Sequence, residues 1–193
     1  LLFILIGDDA LGKYAIIYLL AMTVTTVVYF FFEMLGFPII FNQASSERRK
    51  RYLIVLLIGY FLSLSLVTAI SYNFGEIILL FFTTQYVATE YEIFTLLIIA
   101  CGLLNFGRIL MVQGQVDKEP HVYWPAYLVL LCFFVTWCLL FVGQDQGGGL
   151  MAAQGFVIGT VIFVGITALL NLKKIDLLIT LETWNRPSLL NQL

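Results

Sequence analysis

Glu33 and Arg108 are charged residues that stand inside long apolar stretches of a 193-residue chain. A charge in such a stretch is expensive unless a polar cavity or a partner receives it, so each marks a candidate site. Their chemistries differ usefully. A guanidinium forks onto phosphate in a bidentate way, and a carboxylate can orient that guanidinium or respond to a coupling ion. At ~100° per residue, Cys101, Asn105, Arg108, Val112 and Gln115 share one helix face. Met22, Thr26, Tyr29 and Glu33 share a second, and Thr160, Thr167 and Asn171 a third. Three such stripes could line one wet cavity, with Glu33 and Arg108 paired directly at equal depth. A plainer reading stands beside this one: Arg108 snorkels along its own helix, and Thr and Asn tie packed helices together.

The elements that must hold these residues are membrane spans. The segments Tyr14–Phe32, Tyr52–Gly75, Pro120–Gln144 and Gln146–Leu172 carry no Asp, Glu, Lys or Arg. A bilayer-crossing helix needs ~20 apolar residues, and lipid leaves a helix as the natural form. The chain is 61% hydrophobic and 11% charged, with a mean hydropathy of +0.99. An average soluble domain is about 25% charged, so this composition argues against a water-soluble surface. The net charge of −2 gives no reason to expect nucleic acid as a partner.

The expected architecture is all-α: a polytopic bundle of five full spans and one partial N-terminal span. The partial span is Leu1–Gly7, read as the end of a helix belonging to a longer protein. The full spans run about Tyr14–Phe41, Tyr52–Ser71, Ile93–Gln115, Tyr123–Val142 and Leu150–Leu172. Glu76–Glu92 reads as an interfacial elbow. Residues 1–174 form the bundle, and 175–193 form a tail at the interface. Gly36 and Pro38 either hinge the first full span or end it.

Basic residues alternate with these spans. Arg48–Arg51, Lys118, Lys173, Lys174 and Arg186 fall on one side, and Lys13 on the other. Cytoplasmic loops are enriched in Lys and Arg. The segments 42–51 and 116–121 and the C-terminus are therefore expected in the cytoplasm. Arg48–Arg51 is a topology signal first and a contact for anionic headgroups second.

Other motifs point to packing. Gly155 and Gly159 form a GxxxG pair, extended by Ala152, as at close helix contacts. Tyr123 and Trp124 read as interface anchors. Cys101, Cys132 and Cys138 lack CxxC spacing and read as buried structural thiols. His121 has no nucleophile or acid beside it, and Asp8-Asp9 reads as solvated. No catalytic residue, metal site or cofactor is expected, and the chain does not read as an enzyme.

Several segments, taken in order, resemble a known family. Gly12-Lys13-Tyr14-Ala15 leads into a helix ending near Pro38. Ile77–Tyr86 follows as an elbow, then Gln113-Gly114-Gln115-Val116-Asp117-Lys118, then Gly148-Gly149-Leu150-Met151-Ala152-Ala153. The order and spacing resemble the second half of polysaccharide-type flippases, the Wzx or O-antigen translocases of the multidrug/oligosaccharidyl-lipid/polysaccharide exporter superfamily. The likeness covers residues 1–174. The family's glycine after the elbow's apolar run is here Thr83 or Thr84.

That resemblance implies one lobe of a two-lobe transporter in the bacterial inner membrane. Alternating access would carry an isoprenoid-diphosphate-linked oligosaccharide between leaflets during surface polysaccharide biosynthesis. It implies a diphosphate site at Arg108, with Asn105 and Gln115 beside it, and a cavity or ion-coupling role for Glu33, Tyr29 and Thr26. The implied partners are the lipid-linked sugar, membrane lipids, H+ or Na+, and the other lobe of the same protein. Two alternatives stay open: an ion-coupled multidrug or cation exporter, which needs unpaired acids, and a membrane polysaccharide polymerase or ligase, which needs a large outer loop.

Overall fold

A computed structural model describes residues 8–43, 46–83, 90–116, 120–142 and 148–184, with side chains of 8–10, 46, 113–114 and 172–184 excepted. The expected partial span, Leu1–Gly7, lies outside the described residues. The elements in chain order are α1 (Asp8–Phe41), α2 (Ser46–Phe82), α3 (Tyr91–Leu110), α4 (Val112–Val116), a 3-10 turn (Pro120–Tyr123), α5 (Trp124–Phe141) and α6 (Gly148–Trp184). Among the described residues every regular element is a helix, and five helices are long and apolar enough to cross a membrane. The chain is an all-α helical bundle of multi-pass membrane type.

α3 is the central helix. α1, α2 and α6 all pack on it, α1 also packs on α2, and α5 reaches the bundle through α6. Within the most apolar window of each span, 61% of residues are buried for α3, against 11% for α2 and for the span containing α5. The outer helices instead turn large apolar side chains outward, among them Leu19, Phe31, Met34, Leu62 and Leu140. Such a surface suits hydrocarbon, where exposure of Phe or Leu carries no penalty.

Small residues set the helix spacing. A methyl added at Gly102 would collide with Leu64 of α2, and one at Gly107 with the Phe163 ring of α6. The GxxxG pair acts likewise between α5 and α6. Gly155 receives Trp137, and Gly159 sits against Leu130 and Phe133. Trp137 Nε1 also donates to the Met151 carbonyl at 2.9 Å.

Four boundaries differ from the sequence reading. First, α2 does not end at Ser71. It runs to Phe82 and takes in the first half of the expected elbow, while 84–89 lie outside the described residues. The Tyr72–Glu76 stretch looks like a break, but it holds no proline, and Asn73 Nδ2 donates to the Ala69 carbonyl at 2.8 Å. At ~1.5 Å per residue, the 37 residues of α2 make a rod of about 55 Å, longer than a hydrocarbon core of about 30 Å. A helix need not stop where the bilayer does. Second, Glu47–Arg51 is not loop but the first turns of α2, closed by an Arg51–Glu47 ion pair at 2.7 Å.

Third, the span containing Arg108 is broken. α3 stops at Leu110, and α4 resumes at Val112. Met111 N–H is shared between the Gly107 and Arg108 carbonyls, each at 3.1 Å. Fourth, α6 continues through residue 174 to Trp184, so the bundle–tail boundary is not a break in the helix. α1 likewise passes through Pro38 and ends at Phe41, with Asn42 N–H bonded to the Pro38 carbonyl.

Candidate functional site

The three polar stripes have different fates. On α6, Thr160 and Thr167 are fully buried, and each hydroxyl donates at 2.8 Å to a carbonyl of its own helix, Val157 and Phe163 respectively. Asn171 bridges helices. Its Nδ2 donates to the Leu110 carbonyl at 3.0 Å, and its Oδ1 accepts from the Tyr123 hydroxyl at 2.6 Å. Backbone groups freed at a helix break inside a membrane must find a partner, and Asn171 supplies one at the α3–α4 break. This stripe is helix glue rather than cavity wall. Tyr123, expected as an interface anchor, is buried for the same reason, while Trp124 next to it is exposed.

The α3 stripe behaves otherwise. Asn105 is buried, and its Oδ1 accepts from Arg108 Nη1 at 3.1 Å. Arg108 is half-buried and makes no ion pair among the described residues. Its remaining nitrogens are not sealed in the core as unpaired buried donors, so they are reachable from outside the bundle. A guanidinium carries five N–H groups, and the Asn105 contact uses one of them. Direct pairing with Glu33, expected from their equal depth, does not occur. Asn105 stands one turn away on the same helix, and so it captures the guanidinium locally.

Tyrosines surround this cation. Tyr18 and Tyr29 of α1, Tyr60 of α2 and Cys101 of α3 all lie within electrostatic reach of Arg108. Tyr60 is fully buried and donates to the Gly102 carbonyl at 3.1 Å. Tyr29 also lies within reach of Glu33, one turn further along α1. Tyr29 thus lies within electrostatic reach of both charges that the sequence singled out. Tyr18 and Tyr60 were missed by sequence reading. A tyrosine mid-span is polar at one atom only, and hydropathy counts its ring.

The Glu33 face of α1 runs back through Tyr29, Thr26 and Met22 to Tyr18. At Tyr18 it meets α6, with the Phe156 ring centroid at 6.2 Å. Nearby, Tyr14 of α1 and Ile93 of α3 close on Gly149 at the start of α6. Beyond Tyr18 burial along the face is uneven, with Tyr29 buried. Met22 is exposed, and Thr26 and Glu33 are half-buried. α1 and α6 therefore touch at the Lys13 end. Lys13 itself pairs with Glu90 at 3.5 Å, tying the start of α1 to the start of α3.

The structure brings Arg108, Asn105, Tyr29 and Glu33 into one neighbourhood. Thr26 shares the α1 face without a hydrogen bond to the others. Gln115 is set apart: it lies on α4 past the break, exposed, with no contact to Arg108. Of the thiols, Cys101 and Cys138 are buried, but Cys132 faces outward, contrary to expectation. No family model matches the chain, and neither the curated proteins nor the solved structures include a significant match.

Proposed function

We propose that this chain is one lobe of a membrane transporter that flips an isoprenoid-diphosphate-linked oligosaccharide in surface polysaccharide biosynthesis. One observation carries the reading. Arg108 is a half-buried cation in the central helix, without a carboxylate partner among the described residues, and it has donors to spare. Charge inside a span is retained where it serves a pathway or ligand. A diphosphate supplies oxygens in the geometry that a guanidinium fork engages. Asn105 holds the guanidinium in place from one turn away.

The other parts fit alternating access. The contacts among Tyr14, Tyr18 and Phe156 and the Lys13–Glu90 pair lie at the end away from Arg48–Arg51. The family resemblance implies a bacterial inner membrane, and by the positive-inside rule the Arg48–Arg51 end is cytoplasmic. A lipid-linked anion made on that side would enter there, with Gln115 at the mouth. The other lobe of the same protein would complete the cavity.

The test uses the full-length protein in its host. Arg108→Ala at equal membrane abundance abolishes surface polysaccharide while lipid-linked precursor accumulates in the inner leaflet, and Arg108→Lys rescues poorly. Normal export by both variants overturns the reading. A second reading, an exporter coupled to H+ or Na+, draws on Glu33, which is half-buried and lacks an ion pair among the described residues. Loss of cation-driven drug efflux in Glu33→Gln, with polysaccharide export intact, would favour that reading.

A further inference from the structure

On the outside of the bundle, α1 and α2 enclose a groove of about 400 Å³. Its walls are apolar: Phe32, Leu35 and Gly36 from α1, and Tyr52, Val55 and Gly59 from α2. Its floor exists because two glycines let the helices close up. Leu56 fills the space over Gly36, and the Phe32 ring lies 3.0 Å from where a Gly59 Cβ would stand. At ~1.5 Å per residue, the eight residues Tyr52–Gly59 span about 12 Å, long enough to seat part of an acyl chain.

The groove opens at the start of α2, where four basic residues stand in a row. Helical geometry selects among them. Tyr52, Val55 and Gly59 share one face with Arg48, four residues before Tyr52. Arg49 falls seven before Leu56 and lies beside it. Lys50 is turned to the opposite side of the helix, and Arg51, four residues before Val55, is tied to Glu47 at 2.7 Å. Arg48 is exposed and has no ion pair among the described residues. A continuous apolar channel with a cation at its mouth is complementary to an anionic amphiphile. We infer that the α1–α2 groove is a binding site for an anionic phospholipid, with one acyl chain between Gly36 and Gly59 and the phosphate on Arg48. This site is on the outer surface and does not depend on the role of Arg108.

In a bilayer every lipid offers a chain, so preference for anionic lipid must come from the headgroup contact. The test is native mass spectrometry of the purified full chain, released from micelles mixed with equal amounts of phosphatidylglycerol and phosphatidylcholine. The wild type is expected to retain phosphatidylglycerol selectively. Arg48→Gln should lower that selectivity about fivefold, the usual worth of one basic residue near an anionic surface. Lys50→Gln makes the same charge change on the opposite side of the helix and should leave it unaltered. Val55→Trp fills the groove at an exposed lining position and should lower retention of both lipids. Equal losses for Arg48→Gln and Lys50→Gln would reduce the effect to diffuse attraction, and unchanged retention in Val55→Trp would leave no chain in the groove. Either result overturns the proposal. Circular dichroism and a single gel-filtration peak establish that each variant is folded.

Discussion

The polar stripes of α3 and α6 look alike as text and differ as structure. Each places polar residues at helical spacing in an apolar span. On α6 the side chains are satisfied where they stand: two threonines return to their own backbone, and Asn171 closes the gap at the α3–α4 break. On α3, Asn105 takes one Arg108 donor, and the rest of the guanidinium stays reachable. The lesson is that the number of polar residues in a span does not mark a site. Hydrogen-bonding capacity left over after the bundle has packed does.

The sharpest way to break this comparison is Arg108→Ala. If the α3 stripe is a ligand site, transport per folded molecule should fall about 10- to 100-fold, the worth of a hydrogen bond to a charged group. Stability in an SDS unfolding titration should change little. A variant that transports normally but unfolds early would make Arg108 another piece of glue.

Gly107→Val tests the contact between the two stripes. Its side chain would collide with Phe163, so overpacking should cost about 1–3 kcal/mol in the same titration. Activity should fall in proportion to the folded fraction. A smaller expected loss follows from Asn171→Leu, which removes the bonds to the Leu110 carbonyl and the Tyr123 hydroxyl. Polar contacts between membrane helices suggest about 1–2 kcal/mol for the pair, again with transport per folded molecule intact. Thr167→Val is the mildest case. Its hydroxyl adds a bond to a carbonyl within its own helix, so its loss should stay within about 0.5 kcal/mol. A large transport defect in Thr167→Val would mean that the α6 stripe faces a ligand after all.

Much of the fold was legible because its cause is local. Each span announces itself through its own apolar run, and five are present where hydropathy places them. Boundaries were less legible. The helix of α2 runs past the apolar signal at Ser71 because hydrogen bonding, not hydropathy, decides where a helix ends. The candidate site was partly legible. Glu33, Tyr29, Asn105 and Arg108 were found because charge and spacing are visible in one dimension. Tyr60 was not, since its relevance depends on α2 lying against Gly102, and the interruption at Met111 that puts Gln115 on the short α4 carries no proline to announce it.

By itself, then, the sequence determined that the chain crosses a membrane several times and which polar side chains travel into it. The cost of moving a charge or a loose backbone group into hydrocarbon is a property of each segment alone. Only the tertiary structure decided which of those polar groups remain available. Whether a hydroxyl, amide or guanidinium is satisfied depends on the neighbour it meets, and that neighbour comes from another helix tens of residues away.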